Sequence, residues 1–229
     1  MVRWLPLESN PAVMNKFMAG LGVPGAWACT DVYGLDDELL AMVPQPVLSL
    51  ILLHPINDKE EEFKAQEEEK INADGQEVSD SLYFMKQCVG NACGTVALIH
   101  AIANNQGKIE LEDGPLKEFL EKTKDMAPDE KGTALENDEG ISKAHEESAQ
   151  EGQTEAPDRD TKLDMHFVAF VEVDGNLYEL DGRKKFPINH GATSADTILK
   201  DAASACRKFI ERDPEEARFA LVALASAAE

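Results

Sequence analysis

The stretch Gln87-Cys-Val-Gly-Asn-Ala-Cys-Gly-Thr-Val-Ala-Leu-Ile-His-Ala-Ile-Ala-Asn104 decides how the rest of the chain is read. Its first half, Gln87 to Thr95, is polar and carries two glycines. Its second half has the period of a buried helix, with Ala92, Val96, Ile99 and Ala103 on one stripe and Thr95, Leu98 and Ile102 beside it. Asn91 is then the expected N-cap. Cys93, two residues further on, falls in the first helical turn, where unpaired backbone N–H groups and the positive end of the macrodipole favour an anion. Turning such a thiol into a nucleophile means moving its pKa from about 8.5 toward roughly 3.5–7.5, which a helix terminus and an imidazolium can do together. Gln87 lies upstream and places an amide donor beside the helix start, where a developing oxyanion would also meet the Cys93 N–H. Taken alone, the stretch equally suits a buried structural cysteine on a core helix.

A partner for the thiol comes from farther along. His166 to Val173 and Asn176 to Asp181 are rich in β-formers around Asp174-Gly175, a dipeptide that signals a two-residue hairpin. Such a turn pairs Val173 with Asn176 and, counting outward, Val168 with Asp181. His166 shares their face one step along, diagonal to Asp181. Diagonal neighbours lie about 7–8 Å apart, within reach of a His–carboxylate contact. Asp181 can then fix the imidazole tautomer through one ring nitrogen and leave the other to take the Cys93 proton. The remaining histidines lack such a partner at this spacing. His54 precedes a proline, His100 rides the Cys93 helix, and His145 and His190 sit in polar stretches, so all four read as structural or solvated.

Around these segments the pattern is mixed. Asn10-Pro11 starts a helix with Val13, Phe17 and Leu21 on one face. Val47 to Leu53 is apolar without alternation, the signature of a central strand covered on both faces. Asp58 to Lys70 is so acidic that it reads as a solvated helix or a mobile charged segment, with no chemistry assigned. Helices are expected after Pro115, from Pro128 to Asn137 and from Ala195 to Arg212, and a last strand from Phe219 to Ala225. Residues 143–164 carry many carboxylates and few large apolar groups, which predicts a long functional loop ahead of His166. Strands and helices in irregular order give an α+β or α/β-type domain, a central sheet flanked by helices.

With 229 residues and 43% hydrophobic content, one domain can bury a core without disulfides or metal. Twenty-two basic against 44 acidic residues leave a net charge of −22, which argues against nucleic acid or an anionic membrane and for a neutral or basic protein partner. The longest apolar run is far too short to cross a bilayer, and no apolar signal segment follows Met1. The four cysteines, at 29, 88, 93 and 206, have neither zinc-site spacing nor the density of a secreted scaffold. A reducing cytosol and a chemistry without cofactor or metal are the expectation.

Gln87 through Asn105, centred on Asn91-Ala92-Cys93-Gly94-Thr95, closely resembles the active-site segment of the ubiquitin carboxyl-terminal hydrolases, a family of deubiquitinating cysteine peptidases. Trp4-Leu5-Pro6-Leu7-Glu8, Asp31-Val32-Tyr33-Gly34-Leu35, Glu151 to Pro157, His166-Phe167 and Leu177 to Arg183 are similar to family segments in family order. The likeness covers nearly the whole chain and is nearest to the short single-domain members. It implies a papain-like cysteine hydrolase with a knotted backbone, a single catalytic domain over residues 1–229, and a crossover loop at about 143–164. It also implies Cys93 as nucleophile, His166 as general base and acid, Asp181 as the group orienting His166, and Gln87 as oxyanion donor.

The implied partner is ubiquitin, or a closely related modifier, bound by a monomer in the cytoplasm, with the nucleus as a second compartment. Its contacts would come from Leu7, Glu8, Ser9, Asn10 and Pro11; from Ala149, Gln150, Glu151, Gly152, Gln153, Thr154, Glu155 and Ala156; and from Glu216, Ala217, Arg218, Phe219, Ala220 and Leu221. The implied reaction removes small or unfolded adducts from the carboxyl-terminal Gly of ubiquitin through a thioester. Cys88, Lys185 and Ala217 depart from the family pattern. A protein that sequesters free ubiquitin with little turnover is the alternative.

Overall fold

The computed structural model describes residues 2–153, 161 and 163–227. Its first half contains α1 (Pro11–Leu21), β1 (Trp27–Asp31), α2 (Asp37–Leu40), β2 (Val47–Pro55), α3 (Asp58–Asp74), α4 (Cys93–Ala103) and α5 (Pro115–Thr123). Its second half contains α6 (Pro128–Glu136), α7 (Glu139–Ala149), β3 (Met165–Val173), β4 (Asn176–Leu180), β5 (Ile188–Ala192), α8 (Ile198–Arg212) and β6 (Ala220–Ser226). Among the described residues the six strands form one sheet in the order β1-β6-β2-β3-β4-β5, with every neighbouring pair antiparallel.

The unalternating apolar run of β2 follows from its place. Ile51 enters the core shared with α1 and α4, whereas Leu50 and Leu52 enter the core shared with α8. Both faces of the sheet are covered by helices, so polar alternation has no solvent face to serve. α4 lies in the larger core and is buried from Gly94 to Ala103, as a helix apolar all round should be. α1 forms as its caps dictate: Asn10 Oδ1 accepts the Ala12 N–H at 2.9 Å, and Gly22 closes the helix with a left-handed φ of 91°.

The β3–β4 hairpin has the expected register, from Val173 opposite Asn176 to Ala169 opposite Leu180. Asp174 and Gly175 both take positive φ, 48° and 77°, which matches the right-handed twist of the flanking strands.

Two sequence expectations need correction, the open reading of the acidic segment is decided in favour of a helix, and two short strands were missed. Asn91 does not cap α4: it takes a left-handed φ of 62° and donates its side-chain amide to the Trp4 carbonyl at 3.1 Å, while Ala92 occupies the cap and Cys93 is the first helical residue. The loop expected over 143–164 starts later, because α7 runs to Ala149. Asp138 caps that helix by accepting the Ile141 N–H at 2.9 Å, and its buried face is Ile141, His145, Ser148 and Ala149, too small and polar to show as an apolar stripe. The acidic segment is a regular 17-residue helix tied down by ion pairs, Glu60 to Arg212 at 2.6 Å and Glu61 to Arg183 at 2.7 Å among them. β1 and β5, five residues each, carry no alternation that the sequence reading picked up.

Candidate active site

The start of α4, the start of β3 and the end of β4 meet at one cavity of about 500 Å³, lined by Gln87, Asn91, Cys93 and His166, with Asp58 and Glu61 of α3 and Arg183 at its rim. Cys93 is half-buried there, while His166 and Asp181 are 2% and 4% exposed. His166 Nε2 lies 2.6 Å from Asp181 Oδ1, and that oxygen also accepts the Arg183 N–H at 2.8 Å. The other ring nitrogen, Nδ1, is left for Cys93.

Electrostatics favours charge separation in this pair. Burial alone would drive the proton off His166, but the Asp181 carboxylate and the Cys93 sulfur outweigh it and raise the imidazole to about 9. Burial likewise opposes the Cys93 thiolate, yet the hydrogen bond and charge of His166, with backbone N–H groups of Phe167 and Gly94, bring the thiol below its usual value. Asp181 is also buried, and the same imidazolium together with the Arg183 N–H holds it well below the carboxylate range. These shifts move the pair toward thiolate and imidazolium, beside an ionised Asp181.

The segment leading to Cys93 is fixed by backbone contacts. His100 of α4, kept neutral by burial at about 4, accepts the Met85 N–H at 3.1 Å. Two residues on, the Gln87 N–H donates to the Gly182 carbonyl at 2.9 Å. Gln87 Nε2 donates to the Val89 carbonyl at 3.0 Å, which leaves its second amide hydrogen for a group in the cavity. The Cys93 N–H, at the first position of α4, has no helical acceptor. Two donors therefore border the cavity beside the sulfur.

His54 faces His166 across the β2–β3 ladder, with ring centroids 5.9 Å apart and nearly perpendicular. Burial and the His166 charge press it down to about 3, so it is a neutral wall rather than a second base. Cys88 points elsewhere, toward the Asp129 carbonyl of α6. Glu61, Asp58 and Arg183 at the rim had no signal in the sequence beyond charge. α3 reaches the site only because β2 delivers it there.

The stretches expected to hold a partner fall at three places, and none of their described residues lines this cavity. Leu7 is buried against Gly94, Asn10 and Pro11 start α1, and Glu8 and Ser9 are half-buried between them. Ala149 is buried at the end of α7, Gln150 caps it, and Glu151 pairs with Lys16; Gly152 and Gln153 follow, and Thr154, Glu155 and Ala156 lie outside the described residues. Glu216, Ala217 and Arg218 lie in the irregular link before β6, with Phe219 and Ala220 half-buried and Leu221 buried. Arg218 ties that link to Asp164 of the cavity lining at 2.6 Å.

Residues 4–211 match the family described as ubiquitin carboxyl-terminal hydrolase, family 1. The chain belongs to this family. Among relatives of this hydrolase, the ubiquitin carboxyl-terminal hydrolase isozyme L1 of Rattus norvegicus is 50% identical over 224 residues, covering 97% of this chain and 98% of the relative. The ubiquitin carboxyl-terminal hydrolase of Drosophila melanogaster is 49% identical over 227 residues, covering 99% of each. The catalytic domain of UCH37 from Trichinella spiralis, solved bound to ubiquitin vinyl methyl ester, superposes with a TM-score of 0.78 at 26% identity, covering 100% of this chain and 97% of that one. The vertebrate relative bears the name isozyme L1. The α+β architecture expected of the family is the one observed.

Proposed function

We propose that this family member cleaves small or unfolded adducts from the carboxyl-terminal Gly of ubiquitin, as a single catalytic domain acting as a monomer. One observation carries the proposal: a half-buried Cys93 opens α4 beside an imidazole whose far nitrogen is held 2.6 Å from a buried carboxylate. Cys93 Sγ attacks the carbonyl, and Gln87 Nε2 with the Cys93 N–H receives the oxyanion. His166 gives its proton to the leaving amine or alkoxide, and the C–N or C–O bond breaks to leave a thioester. Neutral His166 then takes a proton from water as it attacks, and the thiolate leaves. Asp181 keeps the imidazole turned for both transfers.

The net charge of −22 supports a partner with a basic surface, and the stretches around Leu7 to Pro11, Ala149 to Ala156 and Glu216 to Leu221 are where it would dock. The cytoplasm is the proposed compartment; among the described residues no helix is long and apolar enough to cross a membrane. A ubiquitin probe ending in an electrophile tests the proposal. Covalent labelling that disappears in Cys93→Ala is expected. Tight binding without labelling would instead make this a protein that sequesters ubiquitin.

A further inference from the structure

The turn after β4 is anchored at every residue from Asp181 to Lys184. Asp181 holds His166, the Gly182 carbonyl holds the Gln87 backbone at 2.9 Å, and Arg183 reaches Glu61 of α3 at 2.7 Å. Lys184 is the least expected of these anchors, because its ammonium is buried: the residue is 5% exposed. It bonds Glu179 of β4, itself fully buried, and Glu67 of α3 at 2.6 Å. Its backbone N–H donates to the Asp181 carbonyl at 3.0 Å, and its own carbonyl accepts from Lys86.

A buried ion pair adds little stability over a well-packed apolar pair of the same size, because desolvation offsets the attraction. Its geometric effect is a different matter. The two carboxylates lie on separate elements, one on α3 and one on β4, the strand that leads into Asp181. An ammonium between them fixes the distance from the helix to the turn.

Resting on the triad proposed above, we propose that Lys184 is a positioning residue: an internal clamp that holds the Asp181 carboxylate against His166 and the Gln87 backbone against Gly182 at the same time. Both catalytic supports then move together or not at all. Other charges face the clamp from each neighbouring element. α3 contributes Glu60, Lys64 and Glu68 beside Glu67, and β5 contributes His190, whose Nε2 lies 2.9 Å from Glu179. Lys86 and Lys185 flank the turn, and α8 contributes Cys206. Glu179 and Glu67 together hold the ammonium protonated against its burial, so the clamp itself does not titrate near neutral pH.

The test is the rate of iodoacetamide alkylation of Cys93 from pH 5 to 9.5, which needs no ubiquitin. Loosening the turn weakens the Asp181–His166 contact, hence the imidazolium, hence the thiolate. Lys184→Met is expected to raise the thiol midpoint by about one pH unit, which slows alkylation by up to about tenfold on the acid side of that midpoint and leaves the alkaline plateau unchanged. Lys184→Arg should restore the wild-type profile. Glu67→Ala, which keeps the Glu179 pair, should shift the profile the same way by a smaller amount, and it carries the test if Lys184→Met does not fold. Superimposable profiles in wild type and the folded variants would overturn the proposal. Failure of the wild type to react with a ubiquitin probe would refute the proposed substrate, and the alkylation profile would still report on Lys184.

Discussion

His166 Nε2 and Asp181 Oδ1 stand 2.6 Å apart with both side chains almost wholly buried, one at the start of β3 and the other just past the end of β4. They are brought together by the two-residue turn at Asp174-Gly175, which is distant in sequence from both. The contact is therefore as rigid as the hairpin, and its electrical consequences are testable.

Substituting Asp181→Asn should narrow the pH–rate profile from both sides. The active form needs a thiolate and an imidazolium, so kcat/KM rises with pH through the lowered Cys93 value and falls through about 9, where His166 loses its proton. Without the carboxylate, burial dominates His166 and lowers it, so the alkaline limb moves to lower pH and the acid limb moves up. At neutral pH the rate should drop on the order of 10²-fold or more. An unchanged alkaline limb would exclude Asp181 from the site.

Gln87→Ala should lower kcat on the order of 10²–10³-fold, about 3–4 kcal/mol, and leave the Kd for ubiquitin near that of wild type. Gly182→Ala should produce a weaker version of the same split, because a Cβ there would come within 2.9 Å of Gln87 Cβ and 3.0 Å of its backbone nitrogen. Paired measurement of kcat and Kd settles both. Equal losses in the two quantities would count against an oxyanion role.

Brief alkylation at neutral pH should mark Cys93 alone. Cys29 and Cys206 are buried, and burial pushes Cys29 up to about 12 and Cys206 well above its usual value. Cys88 is reachable, but burial and the Asp129 carboxylate raise its thiol. Peptide mass spectrometry after a short exposure gives the order. Faster modification of Cys88 than of Cys93 would show that no thiolate–imidazolium pair forms in the free protein.

Much of the site was legible because its geometry is local. Register in a two-residue hairpin is fixed by the turn, so the proximity of His166 and Asp181 follows from Asp174-Gly175 and counting. The helical period likewise revealed α4. The side of the site that comes from α3 was illegible, since Glu60, Glu61 and Glu67 look like any solvated carboxylates until Arg212, Arg183 and Lys184 are placed opposite them from the far end of the sequence. α7 stayed hidden for a different reason. Its buried His145 bonds Thr95 Oγ1 at 2.7 Å and the Leu5 carbonyl at 2.6 Å, so a polar residue occupies a core position by satisfying both ring nitrogens.

Glu60→Ala tests whether the acidic helix is held as firmly as it looks. Arg212 lies between the rings of Phe63 and Phe209, 3.6 and 3.8 Å from their centroids, and bonds both Glu60 oxygens at 2.6 and 2.9 Å. Removing the carboxylate strands a guanidinium that is 9% exposed, at a cost of about 3–5 kcal/mol. Urea unfolding should show the midpoint falling with little change in slope. A loss under about 1 kcal/mol would mean that Arg212 finds water or another acceptor.

The strand order also constrains how the molecule comes into being. β6, residues 220–226, is inserted between β1 and β2 and pairs with both. As the chain leaves the ribosome, Cys93, His166 and Asp181 all emerge before the strand that joins the two parts of the sheet. Until then β2 presents an apolar edge with unpaired amides, a template for association with other chains. The nascent polypeptide thus carries the whole proposed triad while lacking the strand that completes its scaffold, and loss of these seven residues should yield aggregation rather than a weakened hydrolase.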